Sequence, residues 1–274
     1  MNTNRSQEFF AQAVSFLQRN VYRAALVGLG LGAATGARAQ VGSINSAVIQ
    51  QHVFNDIPGA TFTGVNQYPS LILLSDQLVS APTGFANRDV WQFSNNGTSA
   101  YQFQHNDYFQ ASLTLDLVGT PITPRKEGGF LFSTASNGDI QFIVDTDGHE
   151  VVQFGGISFW SFSANNGLQY NSGANITLGL TYFQDGNGKN ALEFSANGIN
   201  SPVFEFGPSV GSGALDIGDG STLGGYLQVV NDPANPANGG TAIFENISIS
   251  AVPEPGTLAL LGLGAGALLL RRRR

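Results

Sequence analysis

Phe109-Gln110-Ala111-Ser112-Leu113-Thr114-Leu115-Asp116-Leu117 decides the fold class. Odd positions are apolar and even positions polar, without a break. A strand sends successive side chains to opposite faces, whereas a helix would scatter these five apolar groups around its circumference. The stretch is therefore a strand with one face in a core and the other facing away.

Downstream of this strand the same grammar continues. Strands are expected at 129–133, 140–144 and 151–154, the last two joined across Asp147-Gly148, a strong hairpin turn. Residues 157–162 are apolar or aromatic with only serines between, and read as a central strand. Ile176, Leu178, Leu180 and Tyr182 alternate again before Asp185-Gly186-Asn187-Gly188 turns the chain into 191–195. Runs at 203–206, 223–230 and 242–250 follow.

Upstream, 90–94 and 100–105 flank Asn95-Asn96-Gly97-Thr98 and read as a hairpin. Before them, 47–49 and 71–74 are of strand length, separated by turns at 56–59 and Tyr68-Pro69. From Val90 onward there are about twelve strands and no segment of helical period, which indicates an antiparallel sheet protein. No repeat of fixed period is present, so propeller and β-helix architectures are set aside. The expected fold is all-β, an antiparallel two-sheet sandwich of jelly-roll type. In pattern, 129–249 resembles the concanavalin A-like lectin and glucanase sandwich.

The two ends of the chain follow different rules. Arg5, Arg19 and Arg23 precede an apolar run at 24–34, and Ala37-Arg38-Ala39 supplies small-x-small before Gln40. That is the layout of an export signal helix cleaved between Ala39 and Gln40. At the other end, 257–270 carries no charge and is followed by Arg271, Arg272, Arg273 and Arg274. The run is shorter than the roughly 20 residues of an unstrained membrane span. Its flanks nonetheless favour a short transmembrane helix: Pro253 and Pro255 end any preceding element, and the arginines suit the cytoplasmic headgroups.

Pro253-Glu254-Pro255, the short apolar helix and the closing arginines resemble the PEP-CTERM sorting signal of Gram-negative bacteria. The resemblance implies an exosortase as processing partner, transient anchoring in the inner membrane, and delivery to the cell surface or extracellular matrix. The chain then divides into a signal peptide at 1–39, a β-sandwich at 40–251 and a sorting signal at 252–274.

The sandwich holds 17 acidic residues against Arg88, Arg125, Lys126 and Lys189, a net charge of −13. Nucleic acid, which needs a basic footprint, is excluded as a partner. With no cysteine there are no disulfides, thiolate metal sites or cysteine nucleophiles. Catalysis is not expected either. There is no Glu-x-Asp-x-x-Glu string to place two carboxylates across a glycosidic bond, and no Gly-x-Ser-x-Gly elbow.

Candidate ligand residues remain. Asp145 and Asp147, in Asp145-Thr146-Asp147-Gly148-His149-Glu150, and Asp219, in a second oxygen-rich loop, are candidates for Ca2+. The first loop departs from the EF-hand pattern, with His149 fifth and Glu150 sixth, and turn chemistry alone accounts for Asp147-Gly148. Among the aromatics, Tyr108 and Tyr170 sit beside polar loop residues and are expected to be exposed, where they could stack on sugar rings. The expected function is a non-catalytic surface or matrix protein that binds or structures exopolysaccharide or another glycan. A calcium-dependent adhesion or protein-interaction module and a divergent polysaccharide hydrolase are the alternatives.

Overall fold

The structure, a computed structural model, describes residues 40–207 and 213–252. The signal helix with Ala37 and Ala39, and the tail from Pro253 to Arg274, lie outside the described residues.

After a 3-10 turn at Gln40–Ser43, the chain forms β1 (Ser46–Asn55), β2 (Thr61–Gln67), β3 (Leu71–Gln77), β4 (Ala86–Ser94) and β5 (Phe109–Thr120). The middle of the chain gives β6 (Lys126–Thr134), β7 (Gly138–Asp145), β8 (Val151–Gly155), β9 (Trp160–Ser161) and the one-turn helix α1 (Phe162–Asn166). Then come β10 (Asn175–Gln184), β11 (Asn190–Ala196), β12 (Ile199–Asn200), β13 (Phe204–Glu205), β14 (Thr222–Val230) and β15 (Gly239–Ala251). One sheet has seven strands in the order β1-β4-β14-β6-β7-β8-β9. The other has eight, in the order β12-β11-β10-β5-β15-β3-β2, with β13 also on β11. Every pairing is antiparallel. The architecture is the two-sheet sandwich that alternation implies.

The period-2 stretch is the centre of the eight-stranded sheet. β5 lies between β10 and β15, and Phe109, Ala111, Leu113, Leu115 and Leu117 are all buried. Facing them from the other sheet are Trp91, Phe93, Phe130, Phe132 and Phe142. The rings meet mostly edge to face, as between Trp91 and Phe93 at 5.1 Å or Trp91 and Phe244 at 5.7 Å, the geometry that ring quadrupoles favour. Gly225 makes room for this arrangement: a Cβ there would lie 2.4 Å from the Trp91 Nε1. A methyl at that position cannot be accommodated without displacing the indole.

Three stretches depart from the sequence reading. Residues 100–105 form no strand; Tyr101 and Phe103 point into the core, and a single bridge joins Phe103 to Ser221. Residues 157–162 are not a central strand. Phe159 is exposed, β9 is a two-residue edge, and Ser161 Oγ then accepts from the Ala164 N–H to start α1. Conversely, β2 was not marked by any alternation, because both faces of this edge strand are largely exposed.

Candidate functional site

Alternation gives the seven-stranded sheet a second face, turned away from the main core, on which side chains lie in register and Arg88, Gln92, Gln141 and Phe154 are the partly exposed ones among the three rows below. One row runs Arg88 (β4), Gln228 (β14), Glu127 (β6) and Asp145 (β7). The next holds Val90, Tyr226, Gly129, Ile143 and Val152, a small apolar cluster separate from the main core. A third holds Gln92, Gly224, Leu131, Gln141 and Phe154.

Arg88 ties the rows together. Its guanidinium lies 5.0 Å from the centre of the Tyr226 ring, a cation–π geometry. Nε donates to Gln228 Oε1 (2.9 Å) and Nη2 to Gln141 Oε1 (3.2 Å), while Asp139 Oδ2 stands 4.0 Å from Nη1. The Tyr226 hydroxyl reaches Gln141 Oε1 (3.0 Å) and Glu127 Oε2 (3.3 Å). Complete burial, then the nearby Glu127 charge, raises the Tyr226 pKa well above the usual phenol value, so the hydroxyl stays protonated and acts as a donor. Phe154 is half-buried beside Gln141, and the Asp139 carboxylate is half-exposed.

Of the residues singled out from sequence, Asp145 ends the first row and the others fall elsewhere. Tyr108 and Tyr170 are buried, 7% and 2% exposed, which corrects the expectation that their faces are free for stacking. The Tyr170 hydroxyl accepts from Leu117 N (2.7 Å) and donates to Leu117 O (3.1 Å), completing the backbone of β5. Tyr108 donates to Asn190 Oδ1 (2.8 Å) and packs against Tyr182. Polar neighbours along the chain do not dictate where a ring points; packing from distant strands does.

Asp145, Asp147 and Asp219 do not form one set. Asp145 is buried, with Oδ1 accepting from Gly148 N (2.9 Å) and Glu150 N (3.2 Å), and Oδ2 ion-paired with Arg125 Nη2 (3.0 Å). The same guanidinium meets Glu127 (3.3 Å), Asp147 (3.5 Å) and Glu150 (3.0 Å). Arg125 is thus the positive charge that these four carboxylates face. Burial pushes the Asp145 carboxyl up to about 6 against the pull of these partners. Asp219 is on the β13–β14 connection, where its Oδ1 accepts from His105 N and pairs with His105 Nδ1, both at 2.8 Å.

Sequence reasoning passed over His52, Asp76 and Asp89. Among the described residues they are the one set of three His, Asp or Glu side chains whose donor atoms all lie within 4.8 Å of one another. Burial pushes Asp89 up to about 7 and raises Asp76 as well. A signal existed: Asp76 and Asp89 occupy the core-facing phase of their strands, with Ile72 and Leu74 and with Trp91 and Phe93.

The PEP-CTERM protein-sorting motif matches residues 251–274. The chain is therefore an exported protein, processed by an exosortase and sorted through the membrane toward the cell surface. No curated protein sequence matches the chain. Among solved structures it is similar to an alginate lyase from Corynebacterium sp. at 10% identity and TM-score 0.47, covering 70% of this chain and 81% of that one. It is also similar to the carbohydrate-binding module CBM66 from Bacillus subtilis, at 11% identity and TM-score 0.39, over 70% and 95%. A third is the carbohydrate recognition domain of Emp47p, at 14% identity and TM-score 0.41, over 80% and 100%. These likenesses lie in the course of the strands and say nothing about site residues.

Proposed function

We propose that the outer face of the seven-stranded sheet binds a glycan of the extracellular matrix without cleaving it. The observation that carries this reading is the adjacency of Phe154 to the Arg88–Gln141–Asp139 group. A sugar ring has an apolar face and an edge of hydroxyls, so a recognising surface needs a flat apolar group beside fixed donors and acceptors. Arg88 and Gln141 are held by their neighbours, which lowers the ordering cost of binding. The net charge of −13 between residues 40 and 251 favours a neutral polysaccharide over a polyanion.

The described residues between 40 and 252 belong to one compact unit, suited to binding measurements on immobilised glycans. Binding to a neutral polysaccharide is expected, weakened about tenfold or more by Phe154→Ala. Tyr170→Phe should leave the affinity unchanged. A folded sample that binds no glycan would defeat the proposal. Release of oligosaccharides, lost in Arg88→Gln, would replace binding by catalysis.

A further inference from the structure

We infer that His52, Asp76 and Asp89 bind a divalent first-row transition-metal ion that clamps the two sheets together along one edge of the sandwich. Asp89 belongs to β4 of the seven-stranded sheet, Asp76 to β3 of the eight-stranded sheet, and both project into the space between them. His52 comes from β1, the edge strand beside β4.

The placement of His52 depends on an irregularity. In β1, Ala47 and Ile49 face the core, so unbroken alternation would send residue 52 outward. Between Gln50 and Phe54 the register with β4 shifts, and His52 takes φ 51, in the left-handed region that a histidine rarely occupies. The bulge brings its Nε2 to 3.5 Å from Asp76 Oδ2 and 4.0 Å from Asp89 Oδ1. Its backbone N–H meanwhile donates to Asp89 Oδ1 at 2.7 Å, fixing that carboxylate. Strain at this residue serves to aim the imidazole between the sheets.

What the group lacks points to its ligand. Asp76 and Asp89 are both 0% exposed. Among the described residues neither oxygen of Asp76 accepts a well-formed hydrogen bond, although Asn87 and Asp89 lie beside it, and Asp89 Oδ2 and His52 Nε2 are likewise without one. Buried carboxylates are ordinarily paired, hydrogen-bonded or metal-bound, as those around Arg125 show. Three residues that each offer one ligand atom within 4.8 Å of the others suit a four-coordinate site whose last position goes to water. Two carboxylates also balance a divalent charge. An imidazole nitrogen in the set favours zinc or another late first-row ion over calcium, which collects six to eight oxygens. The His52 side chain is 18% exposed and gives an ion a way in from the edge.

The test uses the full-length chain without a polyhistidine tag, in mild detergent, stripped with EDTA and titrated separately with Zn2+, Mn2+ and Ca2+. One Zn2+ is expected to bind per chain, more tightly than Mn2+, raising Tm by roughly 5–10 °C at a hundredfold excess over Kd. Asp76→Asn should abolish the effect. His52→Gly, chosen because glycine accepts the positive φ, should weaken binding about tenfold or more while the fold persists. Asp147→Asn should leave it intact. Absence of bound ion, stabilisation by Ca2+ alone, or stabilisation undiminished by His52→Gly would overturn the assignment. If Asp76→Asn fails to fold, His52→Gly decides.

Discussion

Two acidic clusters in this molecule are built from the same residue types and end up in opposite states. Asp145, Asp147 and Glu150 lie within six positions of one another, with Glu127 opposite Asp145, and all four face the Arg125 guanidinium. His52, Asp76 and Asp89 come from three strands of two sheets, with four donor atoms unused. The first looks like a cation loop along the chain, and its carboxylates are ion-paired with an arginine. The second has no local pattern, yet three of its four carboxylate oxygens accept no hydrogen bond among the described residues. Whether an acidic cluster can take an ion depends on whether its lone pairs are already engaged, which spacing does not reveal.

The largest effect is expected when the first cluster is made to resemble the second. Arg125→Met strands the buried Asp145 charge and should cost about 3–5 kcal/mol of unfolding free energy in chemical denaturation. Adding Asp145→Asn should recover most of that loss. A cost below about 1 kcal/mol would mean that the guanidinium does not hold the cluster and that the contrast is false.

Lys126, next to Arg125, shows what a buried base does when carbonyl oxygens receive its ammonium. It is 0% exposed, and its Nζ donates to Pro121 O (2.6 Å) and Pro124 O (2.7 Å). Burial lowers its pKa from 10.5 to about 8. Between these values the unfolded chain holds the proton more tightly, so stability rises with pH from about 8, by up to about 3 kcal/mol at the upper end. Denaturation at pH 8 and 9.5 should show the rise, and Lys126→Met should flatten it.

Asp145 has the opposite sign of dependence. Its folded value of about 6 lies above the ordinary 3.8, so the native state binds the proton more tightly. The contribution is fully present below about 4 and is lost as pH rises through about 6. Comparing the wild type with Asp145→Asn across that window isolates it, and in Arg125→Met the window should extend to higher pH. The smallest effect is expected from Asp219→Asn. Its partner His105 is exposed, and thermal melting should not change.

The legibility of the chain follows the same contrast between local and distant causes. The strand at 109–117 and the turns at Asp147-Gly148 and 185–188 were readable because period and turn chemistry are local. β2 was not, because an edge strand exposed on both faces has no reason to alternate. Residues 157–162 misled because apolar content does not distinguish a strand from the approach to a capped helical turn. The Arg88–Tyr226–Gln141 group needed pairings between positions 53 and 138 residues apart in sequence, which composition does not supply. The phase of Asp76 and Asp89 was readable, since a charge among core-facing positions is an anomaly in any strand. The bulge that brings His52 to them was not.

That bulge also changes what the edge of the sheet can do to its neighbours. Regular outer strands present free N–H and C=O groups on which another chain can pair, and bulges, short strands or covering groups deny that template. Here β1 is bulged, β9, β12 and β13 are two residues each, and the Asn66 side chain of β2 donates to Ala47 O of β1 at 2.8 Å. For a protein sorted toward a crowded cell surface, these edges oppose fibrillar aggregation, leaving side chains rather than backbone to choose its partners.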